Sequence, residues 1–104
     1  AQRANGKRDS RHRVEHIELL DDADLPRFAQ LGVVASMQPL HMNEQQADGG
    51  DEWGARVGPE RRTRAFRTRD LVDSGAILSL GSDWMVATYD PRYGMAWAHL
   101  RRVP

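Results

Sequence analysis

Leu25-Pro26-Arg27-Phe28-Ala29-Gln30-Leu31-Gly32-Val33-Val34-Ala35-Ser36-Met37-Gln38-Pro39 is the stretch whose reading decides the fold. Pro26 suits the first turn of a helix, where its missing N–H leaves nothing unsatisfied, and Asp24 stands where a capping side chain is wanted. Asp21 or Asp22 offers a cap for an earlier turn. Leu25, Phe28, Ala29 and Leu31 supply a buried stripe, and Gly32 follows where a helix ends on a left-handed residue. Val33 to Gln38 is then almost continuously apolar and stops at Pro39. A half-solvated hairpin strand would alternate polar and apolar residues, whereas this run suits a parallel strand covered on both faces.

The same unit recurs on either side. His12 to Ile17 is a short, highly charged candidate strand, with His12, Val14 and His16 on one face and Arg13, Glu15 and Ile17 on the other. Before it, residues 1–11 hold little to bury and read as a disordered or loop lead-in, or the worn end of a preceding helix. Beyond the central strand, Leu40–Gly58 carries His41, Asn43, an Asp-Gly-Gly-Asp turn and Trp53. It is expected to be a loop, of a length that often has a functional use. Pro59 opens a helix running from Glu60 to about Ser74, with Ala65, Phe66, Leu71 and Val72 inward and Gly75 as its stop. Ala76–Asp83 is a third strand ending in Gly-Ser-Asp. After Asp90-Pro91, Arg92 to Arg102 forms a last helix carrying Tyr93, Met95, Ala96, Trp97 and Leu100. Strands that alternate with helices imply an α/β fold with a parallel sheet.

Composition narrows the function classes. The chain has 104 residues, 39% hydrophobic and 29% charged, with 15 basic and 15 acidic side chains. A formal charge of zero gives no long-range pull toward nucleic acid or anionic lipid. Basic clusters do occur, at Arg3, Lys7, Arg8, Arg11 and Arg13, at Arg61, Arg62, Arg64, Arg67 and Arg69, and at Arg101 and Arg102. Without interleaved aromatic residues they read as solvated faces rather than a nucleic-acid surface. Cysteine is absent, which excludes disulfides, thiolate metal sites and a cysteine nucleophile. No apolar run approaches the length of a membrane span, and no signal peptide follows the basic start, so a cytoplasmic setting and no membrane partner are expected. Ala1 in place of Met points to processing, cloning or truncation.

His16 closes the first strand and Asp83 the third. In a β/α barrel or an open α/β sheet, the C-terminal strand ends form the edge that bears the site. An imidazole and a carboxylate converging there suit zinc or a related divalent ion, and the carboxylate can also carry a proton. His41, just past the second strand, is a candidate for substrate contact or support, or a plain surface histidine. His12 lies about 13 Å from His16 if both are on one strand, too far to share an ion. Glu15 faces away from His16. Trp84 and Trp53 are candidate walls of an apolar pocket or simple packing residues, and His99 a helix-face residue.

The segments His12-Arg13-Val14-Glu15-His16, Leu25-Pro26-Arg27-Phe28, Leu31–His41 and Gly81-Ser82-Asp83-Trp84 resemble the later part of amidohydrolase family 3 proteins. Glu60-Arg61, Leu71-Val72-Asp73-Ser74-Gly75-Ala76 and Asp90-Pro91 extend the likeness almost end to end. These proteins are relatives of the N-substituted formamide deformylases. The resemblance implies a partial TIM-type (β/α)8 barrel, with three parallel strands corresponding to strands 6 to 8, in which 12–104 is a C-terminal barrel fragment. It implies that His16 is a metal ligand, that Asp83 is the metal-associated carboxylate that shuttles a proton, and that Gln38 and His41 shape the substrate side; Trp84, next to Asp83, is a further substrate candidate by its position alone. Met85 stands where the family usually has Pro, and Leu40 where Thr is common.

The activity implied is hydrolysis of a carbon–nitrogen bond in a small-molecule amide, by water activated at a divalent metal such as zinc. The ligands of the earlier barrel strands are missing from this chain. As a separate polypeptide it is therefore expected to be inactive, and to self-associate or to join the missing barrel part. The alternative is a non-catalytic α/β scaffold or binding module, which metal binding indifferent to His16 and Asp83 would favour.

Overall fold

The computed structural model describes residues 2–46 and 48–101. Arg102, expected in the last helix and in the third basic cluster, lies outside them. Three strands, β1 (Arg13–His16), β2 (Val34–Met37) and β3 (Leu78–Leu80), form one parallel sheet in the order β1-β2-β3. His16 pairs with Met37 and Met37 with Leu80, so all three strands finish at the same edge. The expected parallel α/β segment of an open, unclosed barrel is therefore present. Its central strand is the apolar one: Ala35 and Met37 are completely buried. Every residue of β1 is exposed, which explains how an edge strand accommodates Arg13 and Glu15, paired with each other at 2.6 Å.

The helices are α1 (Gln2–Asn5), α2 (Arg27–Leu31), α3 (Glu52–Val57), α4 (Pro59–Arg62), α5 (Thr68–Asp73) and α6 (Pro91–Leu100). Gly32 ends α2 at φ 65° with its N–H on the carbonyl of Ala29, as its position implies. The start of α2 differs from expectation. Pro26 occupies the cap position without a side-chain cap, and Asp24 instead holds the Arg27 guanidinium. Leu31, read as buried, is 43% exposed and lines an open groove with Val14 and Val33.

Two further corrections concern regular structure. The segment expected to be a loop contains a 3₁₀ helix, Pro39–Glu44, and α3, which Asp51 caps by accepting the Gly54 N–H at 2.7 Å. The single helix expected from Glu60 to Ser74 is broken into α4 and α5. Phe66 turns left-handed at φ 46° and donates its N–H to the Glu18 carbonyl at 3.0 Å, while Ala65 bridges Leu19. A contact with the segment after β1 thus replaces helical hydrogen bonds. Val72, expected inward, is 47% exposed.

The core divides in two. Ile17, Leu20, Phe28, Ala35, Met37 and Leu71 pack between the sheet and α2 and α5. Leu40, Met42, Ala65, Phe66 and Trp97 form a second cluster, in which the 3₁₀ helix meets α6, with Trp53 against it. The arginine run is used internally: Arg64 pairs with Asp21 at 2.8 Å, Arg67 with Asp22 and Asp70, and Arg69 with Asp73. No helix among the described residues is long and apolar enough to cross a membrane.

Asp90 caps α6 through the Arg92 N–H, and the Arg92 side chain followed by this N–H holds its carboxyl down at about 2. A carboxyl below its unfolded value of about 3.9 contributes stability that is complete above that pH and vanishes as pH falls toward the folded value. Asp90→Asn keeps a cap acceptor and removes the charge. It is expected to flatten the loss of melting temperature between about pH 4 and about pH 2. Parallel acid limbs for the two proteins in circular-dichroism melts would refute this role.

Candidate metal centre

The sheet edge at the strand C-termini carries the polar side chains. His16 is the last residue of β1, where the backbone turns sharply, with φ 69° at His16 and 51° at Ile17. Left-handed non-glycine residues cost ~1–3 kcal/mol each and persist only where surrounding contacts enforce them. Here Gln38 is the enforcing contact. Its side-chain carbonyl accepts the His16 N–H at 2.9 Å, and its amide donates to Glu15 Oε2 at 3.1 Å. Gln38 is buried, so its polar atoms clamp the end of β1 to the end of β2. A hydrogen bond from Ser36, then Gln38 and the nearby Arg13 and His16, hold the Glu15 carboxyl below its ordinary range. Glu15 is engaged there and takes no part in the cluster described next.

Asp83 follows β3 by a Gly-Ser pair and is itself left-handed at φ 56°. Its carbonyl accepts the Val86 N–H at 2.7 Å, which fixes the turn. The 3₁₀ helix brings in His41, whose ring stacks on that of His16 with centroids 5.3 Å apart and planes at 26°. One ligand atom each from His16, His41 and Asp83 lies within 4.8 Å of the others. The two residues expected to converge do so, His16 from the end of β1 and Asp83 from the turn after β3 rather than from the strand itself, and His41, expected nearer the substrate, joins them.

Glu18 was not singled out in the sequence, and Trp53 only as a pocket wall or packing residue. Glu18 Oε1 lies 3.0 Å from His41 Nδ1, and its Oε2 accepts the Trp53 Nε1–H at 3.0 Å. Sequence separations of 23 and 35 residues leave no linear signal of this arrangement. Trp53 is a packing residue, tilted on Phe66 with centroids 6.4 Å apart. Trp84 is 65% exposed and meets only Tyr89 edge-on among the described aromatic contacts. A cleft of about 420 Å³ beside His41 is lined by Leu40, Asn43, Val86, Ala87, Thr88, Tyr93 and Trp97. Leu40 is buried in the second core cluster, so it serves packing as well as the cleft.

The donor set fits a divalent cation. His41 Nε2 is buried and makes no hydrogen bond, and it lies 3.4 Å from Asp83 Oδ2. Donor atoms around one tetrahedral zinc ion are separated by roughly 3–3.6 Å, given bonds of about 2.0–2.2 Å; the His41–Asp83 pair falls in this range, whereas the three-residue set spreads up to 4.8 Å and would have to close in around an ion. Two imidazoles and a carboxylate are the nitrogen and oxygen donors such an ion takes.

Comparison with known proteins bears on the family and the fold. The profile of the "Amidohydrolase family" matches residues 1–104. "Protein LONG AFTER FAR-RED 3" of Arabidopsis thaliana is 38% identical over 102 residues, covering 97% of this chain and 17% of that protein. "Putative amidohydrolase YtcJ" of Bacillus subtilis strain 168 is 29% identical over 98 residues, covering 94% of this chain and again 17% of the relative. The crystal structure of an uncharacterized metal-dependent hydrolase from Pyrococcus furiosus superposes with a TM-score of 0.68 at 28% identity, over 88% of this chain and 18% of its own. The chain thus spans under a fifth of the length of the proteins it matches. The profile runs its full length and the fold superposes on a solved relative: this chain belongs to the amidohydrolase family.

Proposed function

We propose that this chain forms part of a metal-dependent hydrolase that cleaves carbon–nitrogen bonds in small amides. The observation that carries this reading is the convergence of His16, from the end of β1, and Asp83, from the turn after β3, on one cluster with His41. His16 and Asp83 would hold a divalent ion, zinc being the first choice for this donor set. Such an ion supplies Lewis-acid polarisation of a carbonyl and makes water acidic enough to react near neutral pH. Asp83, at the mouth of the edge, accepts the proton from attacking water and returns it to the departing nitrogen. Gln38 keeps His16 in its strained position, and the cleft beside His41 receives apolar parts of the substrate. Trp84, exposed just beyond Asp83, is a further surface for substrate.

Activity on this reading belongs to the segment together with the rest of a barrel. The exposed face of β1 and an apolar groove formed by Val14, Ile17, Leu19, Phe28, Leu31 and Val33 are the surfaces against which neighbouring barrel elements would pack. The isolated segment would be inactive and prone to association through them.

The test is hydrolysis of a panel of N-acyl and N-formyl amides by the protein carrying this segment. Activity is expected to fall to background when a chelator strips the metal, and to return on adding zinc or manganese. Hydrolysis that continues unchanged in metal-free protein, or a fully metal-loaded protein inert toward every C–N substrate, would defeat the proposal.

A further inference from the structure

His41 was expected on the substrate side, yet its two ring nitrogens face opposite kinds of partner. Nδ1 lies 3.0 Å from Glu18 Oε1, and a carboxylate there keeps the proton on that nitrogen. Glu18 has little freedom to turn away, because its second oxygen holds the Trp53 indole N–H and Trp53 packs on Phe66. In the neutral ring Nε2 then presents a lone pair. It is buried, makes no hydrogen bond, and faces Asp83 Oδ2, another lone-pair donor, at 3.4 Å. In the neutral ring these two lone pairs repel each other, and either a proton on Nε2 or a metal cation between them relieves that repulsion.

We infer that His41 is a third ligand to a divalent cation shared with His16 and Asp83, and that Glu18, held by Trp53, is the positioning residue that makes His41 Nε2 available. This rests on the metal-dependent reading above and deepens it. Histidine ligands generally donate their other N–H to a carboxylate or carbonyl, which fixes the tautomer and raises ligand basicity. Three protein donors are also the number a catalytic zinc takes.

The experiment is a titration of the full, metal-stripped chain with cobalt(II), followed by competition with zinc(II), reading visible absorption and affinity while circular dichroism monitors folding. One equivalent of cobalt is expected, with the band intensity of a low-coordinate nitrogen–oxygen site. His41→Gln is expected to weaken binding by about 10²-fold or more and to alter the spectrum, and Glu18→Ala to weaken it by about 10–100-fold. Glu18→Gln, which keeps an acceptor for each neighbour, recovers most of that loss.

Wild-type affinity and spectrum in His41→Gln, alongside lost binding in His16→Gln and Asp83→Asn, would overturn the inference and leave the two-residue reading standing. A wild-type chain that takes up no cobalt would overturn the inference and leave the reading of a site completed by the rest of a barrel. Glu18→Ala with undiminished affinity would remove the positioning role. Should His41→Gln fail to fold, the histidine ¹⁵N spectrum of the wild type decides: zinc must shift Nε2 of His41 while Nδ1 stays protonated, and an unmoved Nε2 refutes ligation.

Discussion

Asp83→Asn is expected to lower kcat of the protein carrying this segment by about 10²–10⁴-fold with little change in KM, the range for losing a positioned proton carrier. Asparagine matches aspartate in shape and tolerates the left-handed backbone, so φ 56° at this position imposes no new strain. It also keeps one oxygen directed at the cluster. What it loses is the capacity to take a proton from water and hand it to a leaving nitrogen. Metal content must be measured on the same samples, because a neutral amide is a weaker donor than a carboxylate. An undiminished kcat at equal metal content would show that Asp83 does not carry the proton.

The second large effect concerns the packing beneath the site. Phe66→Ala is expected to destabilise the fold by about 3–5 kcal/mol, the usual loss for a buried aromatic ring. That is a large part of the ~5–15 kcal/mol that holds a typical domain together. Phe66 is 2% exposed and centres the cluster of Leu40, Met42, Ala65 and Trp97. Its ring also supports Trp53, which holds Glu18, so the substitution should loosen the His41 side of the cluster as well as the core. Phe66→Leu, which retains most of the volume, serves as the control and should lose much less. A urea midpoint for Phe66→Ala close to wild type, with an unchanged slope, would show that this cluster contributes little.

Much of the architecture could be read locally. Leu25 to Pro39 contains a helix stripe, a terminating glycine and an apolar strand, each recognisable within a window of a few residues, and the strand proved to be the buried centre of a parallel sheet. The break at Phe66 could not be read this way. Residues 60–74 have the periodicity of one helix, yet the Phe66 N–H finds the Glu18 carbonyl and the helix stops. Likewise, nothing local distinguishes the 3₁₀ turn at Pro39–Glu44 from a loop, because its Leu40 and Met42 are ordered by packing against Phe66 and Trp97.

By itself the sequence determined the alternation of strand and helix, the parallel sense of the sheet, and the placing of His16 at the end of a strand; Asp83, expected to close the third strand, lies in the turn three residues beyond β3. These follow from short-range periodicity and from where each strand stops. Only the tertiary structure decided that His41 joins them and that Glu18 and Trp53 fix its ring. Those contacts cross 23 and 35 residues of chain, and they form because burying a polar side chain is tolerable only where a distant partner completes its hydrogen bonds.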